Sequence, residues 1–336
     1  MNSPHFSFVI PVYNRPIEVM ELLESMTQLW GNHAFEVVII EDGSAVSSEE
    51  VVRSFGNVLN IQYLTKENTG PGDSRNYGMR HAKADYFLIL DSDVILPENY
   101  LNEVTLALAN DRVDCFGGPD AAHRSFTNLQ KAIDFAMTSK LTTGGIRGGS
   151  SNPNFQPRSF NMGLSRKAFE SSGGFGRIHP GEDPDLVLRL RKIGFRTALF
   201  SKAIVFHKRR ISWSKFYHQV NRFGSVRPIL SFWHPESNRY TYWLPTTFMI
   251  GIPIAFLLLL IGAWQLAAIY GIYELALFAL ALYKTRSLPV AGMGVWAANL
   301  QFFGYGIGFL KNSIRLWFSN KSPEEIFPAL FFNRIL

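Results

Sequence analysis

The chain has 336 residues, of which 47% are hydrophobic and only 18% charged, with 28 Phe and 7 Trp; this composition excludes intrinsic disorder. A net charge of +6 and a pI near 9.3 suit a surface that meets phosphates, in nucleotides or in anionic lipid. One cysteine, Cys115, excludes an internal disulfide, and the sequence has no Cys/His cluster for zinc, which fits a reducing cytosolic compartment.

The opening residues, MNSPHFSFVIPVYNRP, hold an apolar run too short for a secretory signal and no basic start. Phe6 to Val12 read as a buried strand, so the N-terminal part is expected to stay in the cytoplasm. Up to about Ile95 the pattern alternates. FSFVIPVY, FEVVIIED, VLNIQYL and DYFLILD are strand-like, while IEVMELLESMTQLW and SRNYGMRHAKA carry apolar residues at helical spacing. Continuous apolar strands between helices predict an α/β fold with a mostly parallel sheet flanked by helices. Such sheets bind ligands beyond the carboxyl ends of their strands. Polar residues cluster there: Asn14, then Glu41-Asp42-Gly43-Ser44, then Asp91-Ser92-Asp93.

Residues 142–158, TTGGIRGGSSNPNFQPR, lack an apolar period and read as a loop, a lid candidate. SFNMGLSRKAFE then predicts a strand running into a helix. HPGEDPDLVLRLRKIGF predicts a loop opening a helix, with Asp183 as its cap and Pro184 its first residue.

From Lys202 to Arg227 there are seven basic residues and no acidic one; from Tyr240 to Tyr283 the only charge is Glu274, and 287–310 has none. A membrane span needs about 20 apolar residues. The first stretch can hold two, near 244–262 and 266–283, followed by Lys284 and Arg286 as expected of a cytoplasmic loop. The third segment fits either a membrane-embedded piece or a further crossing. The expected organisation is a cytoplasmic domain over 1–230, including a basic interfacial helix region at 202–230. A linker at 231–243, two to three membrane segments within 244–310 and an amphipathic tail at 311–336 complete it. The protein is accordingly expected in the cytoplasmic membrane, multi-pass, with its catalytic domain on the cytoplasmic side. Glu274 inside a span is costly in lipid and calls for a partner: a neighbouring helix, an acceptor headgroup or a subunit.

A D-x-D triplet alone is commonly a solvated turn. Placed after FLIL, with an earlier acidic strand end, Asp91 and Asp93 can face Mg²⁺ or Mn²⁺ together with diphosphate oxygens. NTGPGDSRNYG, residues 68–78, is a Gly-rich loop entering a helix, with Arg75 set to pair with phosphate. It fits neither a P-loop nor the dinucleotide fingerprint.

The ordered set PVYNR, EDGS, NTGPGDSRNYG, ILDSD, FNMGLSR, GEDPDLVLRL and QVNRFG resembles the family 2 inverting glycosyltransferases, which share the GT-A nucleotide-sugar fold. The resemblance covers residues 5 to about 230. AIDFAMTSKLTTGGIRGG, residues 132–149, is similar to the bacterial exopolysaccharide branch typified by succinoglycan glucosyltransferases. The family implies that Pro11, Tyr13 and Asn14 line the nucleotide pocket and that Asp42 bonds base or ribose. It implies that Asn68, Gly70 and Arg75 border the nucleotide, with Asp91 on the ribose side and Asp93 on the metal. Asp183 would be the general base that deprotonates an acceptor hydroxyl, as an inverting transfer without a covalent intermediate requires. Glu182 would orient or bind the acceptor. His207 is a candidate third metal ligand, and the following Lys208-Arg209-Arg210 can grip diphosphate or face anionic lipid. Gln219 and Arg222 in QVNRFG resemble the Q-x-x-R-W element of processive synthases at acceptor and diphosphate; Phe223 stands in place of Trp.

The resulting expectation is a membrane-anchored enzyme that moves a sugar from a nucleotide diphosphate, with a UDP-sugar as the expected donor, to a lipid-linked glycan. A polyprenyl-phosphate sugar synthase and a non-catalytic sugar- or lipid-binding scaffold are the alternatives. A lipid phosphate is already ionised and needs no base, so the GEDPD element favours a hydroxyl acceptor. The basic run abuts the apolar spans and the sequence has no recognition motif, so no nucleic-acid partner is expected.

Overall fold

In the computed structural model, which describes residues 6–31, 33–121, 126–144, 155–207 and 212–332, the β-branched and aromatic runs are strands and the periodic stretches are helices. In chain order come β1 (Phe6–Val12), α1 (Pro16–Thr27), β2 (Phe35–Asp42), α2 (Glu49–Phe55), β3 (Ile61–Lys66), α3 (Pro71–His81), β4 (Tyr86–Leu90) and β5 (Val94–Ile95). They continue with α4 (Tyr100–Asn110), β6 (Cys115–Gly117), β7 (Asp120–Ala121), α5 (Asn128–Thr138), α6 (Lys140–Thr143), β8 (Asn161–Ser165), α7 (Arg166–Ser172) and α8 (Glu182–Lys192). Last are β9 (Thr197–Leu199), β10 (Val205–His207), α9 (Trp213–Trp233), α10 (Leu244–Leu260), α11 (Gln265–Thr285), α12 (Leu288–Trp317) and α13 (Pro323–Ile326).

Seven strands form one sheet in the order β3-β2-β1-β4-β8-β6-β9, and β5-β10-β7 form a second, smaller one. β3, β2, β1 and β4 run parallel, as their hydrophobic runs predict, while β8 is antiparallel to both β4 and β6. Alternation along β1 serves two cores. Phe6, Phe8, Ile10 and Val12 pack with Val19, Leu22, Leu23 and Met26 of α1 on one face. Val9, with Val38, Ile40 and Ile89, packs with Met79 of α3 and Leu186, Val187 and Leu190 of α8 on the other. A sheet covered on both faces leaves its strand ends for ligands, and the order reverses between β1 and β4.

The chain divides into two compact units. The first contains 1–123, 148–207 and 331–336; the second contains 124–147 and 208–330. The expected border near residue 230 does not coincide with this division, because α5, α6 and α9 cluster with the later helices.

Within the second unit, small residues bring two helices into close backbone contact. A side chain on Gly224 of α9 would collide with the Tyr305 carbonyl of α12, and one on Gly308 of α12 with the Asn221 carbonyl of α9. Asn221 Nδ2 donates to Gly304 O at 2.9 Å, and Asn312 Nδ2 donates to Ser225 O at 2.8 Å. This is how helices pack where apolar burial alone cannot choose a partner. The third apolar segment, expected as a membrane-embedded piece or a crossing, lies within α12, a continuous helix of 30 residues. Its buried side carries Ala291, Gly294, Ala297, Ala298 and Phe302. α9 likewise buries Phe216, Val220 and Gly224. Among the described residues two helices are long and apolar enough to cross a membrane, Tyr240–Leu260 and Gln265–Thr285. Glu274 on α11 meets a neighbouring helix: Asn299 Nδ2 lies 3.1 Å from each of its carboxylate oxygens.

Two further expectations shift. The helix after HPG begins at Glu182 with Gly181 as its cap, at φ 120°, so Asp183 stands inside the first turn. The core of the expected lid, 145–154, and the triplet Lys208-Arg209-Arg210 lie outside the described residues.

Candidate functional site

The carboxyl ends of β1, β2 and β4 carry the first layer of polar residues. Asn14 adopts a left-handed φ of 55°. Its N–H donates to Ser44 Oγ at 2.7 Å and its Oδ1 accepts from Val46 N–H at 2.9 Å. It thereby ties the β1 end to the EDGS turn, beside half-buried Pro11 and exposed Tyr13. Asp42 is buried with both oxygens engaged: Lys66 Nζ and Thr69 N–H bond Oδ1, at 2.5 and 3.0 Å, and Gly70 N–H bonds Oδ2 at 3.0 Å. The carboxylate thus fixes the turn that leads into α3, while Asn68 on the same turn is exposed.

Arg75, on the buried face of α3, connects two motifs that lie far apart in sequence. Its Nη2 bonds Asp91 Oδ1 at 2.8 Å and its Nη1 bonds Glu182 Oε1 at 3.2 Å. The guanidinium lies over the Phe175 ring at 5.3 Å, an arrangement suited to a planar cation. On one side of Arg75 stands a potential metal centre. One ligand atom each from Asp91, Asp93 and His207 lie within 4.8 Å of one another. His207 ends β10, where it pairs with Val94 of β5, and it stacks on Phe160 with ring centroids 5.1 Å apart. Its Nε2 lies 3.1 Å from Asp93 Oδ1, and Arg15 Nη1 donates to Asp93 Oδ2. Burial opposes the Asp93 charge, but His207 and Arg15 outweigh it, so the carboxyl sits well below the usual carboxylate range. Two carboxylates and an imidazole fit Mn²⁺ or Mg²⁺.

On the other side of Arg75, α8 opens with two adjacent acids that behave oppositely. Glu182 is buried, which by itself would raise its pKa; His179, with Nδ1 at 3.0 Å from Oε1, and Arg75 overcome this and bring it down to about 2. Asp183 moves up, first because it is desolvated and second because the Glu182 charge is next to it; Arg75, Arg158 and the Ser159 amide only partly offset this. A pair of carboxyl groups pushed apart in this way suits one fixed anion and one proton acceptor.

The structure therefore joins Arg75, Asp91, Asp93, His207, Glu182 and Asp183 in one cluster of the first unit, with Asn14, Asp42 and Gly70 in its supporting turns. Gln219 and Arg222 belong to α9 in the second unit, where Gln219 is half-buried and Arg222 exposed. Sequence reading missed Arg15, Lys66 and His179. Arg15 and His179 lie one and three residues from singled-out positions, Asn14 and Glu182, but only tertiary contact reveals their roles.

Residues 7–173 match Glycosyl transferase family 2. Among curated proteins, 112 residues of the poly(ribitol-phosphate) beta-N-acetylglucosaminyltransferase TarS of Staphylococcus aureus are 33% identical, covering 32% of this chain and 19% of that protein. An uncharacterized glycosyltransferase of Haemophilus influenzae is 32% identical over 133 residues, 38% of this chain and 44% of that one. These matches span less than half of the relatives' own length. Among solved structures, the mannosyltransferase PcManGT from Pyrobaculum calidifontis, in complex with GDP-Man and Mn²⁺, aligns with a TM-score of 0.64 at 19% identity, covering 92% of this chain and 88% of that one. S. aureus TarS 1–349 in complex with UDP aligns at 0.50 and 17% identity, covering 94% and 93%. At such identities the likeness is one of fold.

Proposed function

The chain belongs to glycosyl transferase family 2 and has the GT-A fold, and from that premise we propose that it is a metal-dependent inverting glycosyltransferase. It would move a sugar from a nucleoside-diphosphate donor, a UDP-sugar in the reading we favour, to a hydroxyl of a lipid-linked glycan in cell-surface polysaccharide synthesis. The observation that carries this is Arg75, one buried guanidinium bonded both to Asp91 of the metal-ligand triad and to Glu182 beside the proposed base.

In this reading Asp91, Asp93 and His207 hold Mn²⁺ or Mg²⁺. When bound, the cation offsets the negative charge that builds on the departing diphosphate. Arg75 fixes the distance between the donor and acceptor sides. Glu182, anchored by Arg75 and His179, stays ionised and keeps the Asp183 carboxyl basic. Asp183 takes the proton of the acceptor hydroxyl as its oxygen attacks the anomeric carbon from the face opposite the leaving group, so configuration inverts in a single displacement. Pro11, Tyr13, Asn14, Asp42, Asn68 and Gly70 shape the nucleotide side of the pocket, and Gln219 and Arg222 serve acceptor or diphosphate. The bound GDP-Man and Mn²⁺ of PcManGT and the UDP of TarS support a nucleotide-sugar donor and a metal.

The α10–α11 hairpin anchors the enzyme in the membrane in this proposal. Leu257, Leu260, Ile261, Trp264, Ile269 and Ile272 are exposed on it, an apolar face of the kind that marks a membrane or partner surface. The resemblance of residues 132–149 to the exopolysaccharide branch supports the choice of acceptor. The test is turnover of a panel of nucleotide sugars by the purified full-length protein, with Mn²⁺ and with chelator. One donor should be consumed only with metal. Equal turnover of that donor in chelator would refute the metal role, and no turnover of any donor would refute the enzyme reading.

A further inference from the structure

The last described residues of the chain, Phe331 and Phe332, belong to the first unit although 208–330 do not. Ile178 and Phe331 form an antiparallel bridge, and Phe332 N–H donates to Arg177 O at 3.0 Å. The same segment is also held by α3. Asn76 Nδ2 donates to Phe175 O at 2.9 Å, and Phe175 N–H donates back to Asn76 Oδ1 at 2.8 Å. Residues 175–178 are thus bonded both to α3 and to the tail, and the chain then delivers His179 to Glu182.

The Phe332 ring also reaches the turn before α3. It fills the space that a Cβ on Gly70 would occupy, at a backbone φ of 90° that already favours glycine. Its centroid lies 5.8 Å from that of His179. Thr69, Gly72, Asp73, Phe175, His179 and Phe332 line one small cleft there. Gly70 is therefore bare on that face to admit an aromatic ring of the same chain.

We propose that Phe331 and Phe332 form a clasp that positions the Thr69–Gly70 turn and the His179–Glu182 pair, which makes Phe332 a positioning residue for nucleotide-sugar binding. This rests on the donor site proposed above. The ring stiffens the turn from one side while Asp42 holds its N–H groups from the other, and binding is tighter when the turn is already in place.

The test uses the full-length wild type, Phe332→Ala and Phe332→Tyr. Calorimetry measures UDP and GDP, each with Mn²⁺, and amide hydrogen exchange follows 69–72 and 178–182 without ligand. Phe332→Ala should exchange faster in both segments, with β1 unchanged, and bind the preferred nucleotide roughly tenfold more weakly; Phe332→Tyr should restore both. With the preferred donor, KM should rise about tenfold and kcat should fall by less than that through the loosened His179–Glu182 pair, whereas mere misfolding would lower kcat at constant KM. Unchanged exchange, faster exchange with unchanged affinity, or tighter binding by Phe332→Ala would each overturn the clasp. If the wild type binds neither nucleotide, the donor-site reading fails on its own and the exchange rates alone decide whether the clasp exists.

Discussion

Asp93 and Asp183 are the same residue type, both placed beside Arg-linked acids, and their surroundings drive them in opposite directions. Asp93 is bonded by Arg15 and by the His207 imidazole, and its carboxyl falls well below the usual range. Asp183 is desolvated next to the Glu182 anion and its carboxyl rises. The difference separates two tasks. A group that must keep its charge beside a metal and a diphosphate needs cations around it; a group that must accept a proton needs burial and a like charge.

The largest effect is expected where the proton acceptor is lost. Asp183→Asn keeps the shape of the first turn of α8 and should lower transfer by ~10²–10⁴-fold, measured as initial rate at saturating donor. Asp93→Ala attacks the other side of the comparison. It should lower transfer by roughly 10²–10³-fold through lost charge stabilisation, and added Mn²⁺ should not rescue it. Circular dichroism should show both variants folded.

Glu182→Gln sharpens the comparison because it removes the like charge without touching Asp183. A base with a raised pKa loses activity as pH falls through that raised value, so the acid limb of kcat/KM in the wild type should lie above the ordinary Asp range. Taking away the Glu182 anion lowers the Asp183 pKa and should move that limb to more acid pH. The rate at neutral pH should fall about tenfold, because a less basic acceptor takes the proton less readily. A limb that stays in place would remove Glu182 from the tuning of Asp183.

The smallest effect on chemistry is expected from the helical unit. Gly224→Ala would push a methyl group into the Tyr305 carbonyl across the α9–α12 contact, costing about 1–3 kcal/mol. Thermal unfolding in detergent should show the loss, while donor hydrolysis per folded molecule stays unchanged.

Much of the sheet was legible because β1 to β4 are continuous Val-, Ile- and Phe-rich runs, and their ends coincide with Asn14, Asp42 and Asp91. The grouping of Asp91 and Asp93 was legible for the same reason, since they follow a strand end where such folds carry chemistry. Hydropathy sets α10 and α11 apart, but it could not show that the Gly residues of α12 pack on α9, because that contact joins residues far apart in sequence. The cap of α8 was misplaced because Asp183 resembles a capping residue, whereas a glycine at φ 120° takes that position. The ties of Arg15 to Asp93 and of His179 to Glu182, and the clasp by Phe332, depend on tertiary contacts that no local spacing encodes.

The most direct measurement is nucleotide affinity with and without Mn²⁺ in Asp183→Asn and Asp93→Ala, taken on the same preparations as the transfer rates. Asp183→Asn is expected to keep wild-type, Mn²⁺-dependent affinity within about threefold despite its rate loss, while Asp93→Ala loses the Mn²⁺-dependent part. Affinity that collapses in step with rate in Asp183→Asn, or Mn²⁺-dependent binding that persists in Asp93→Ala, would contradict the division of labour between the two carboxylates.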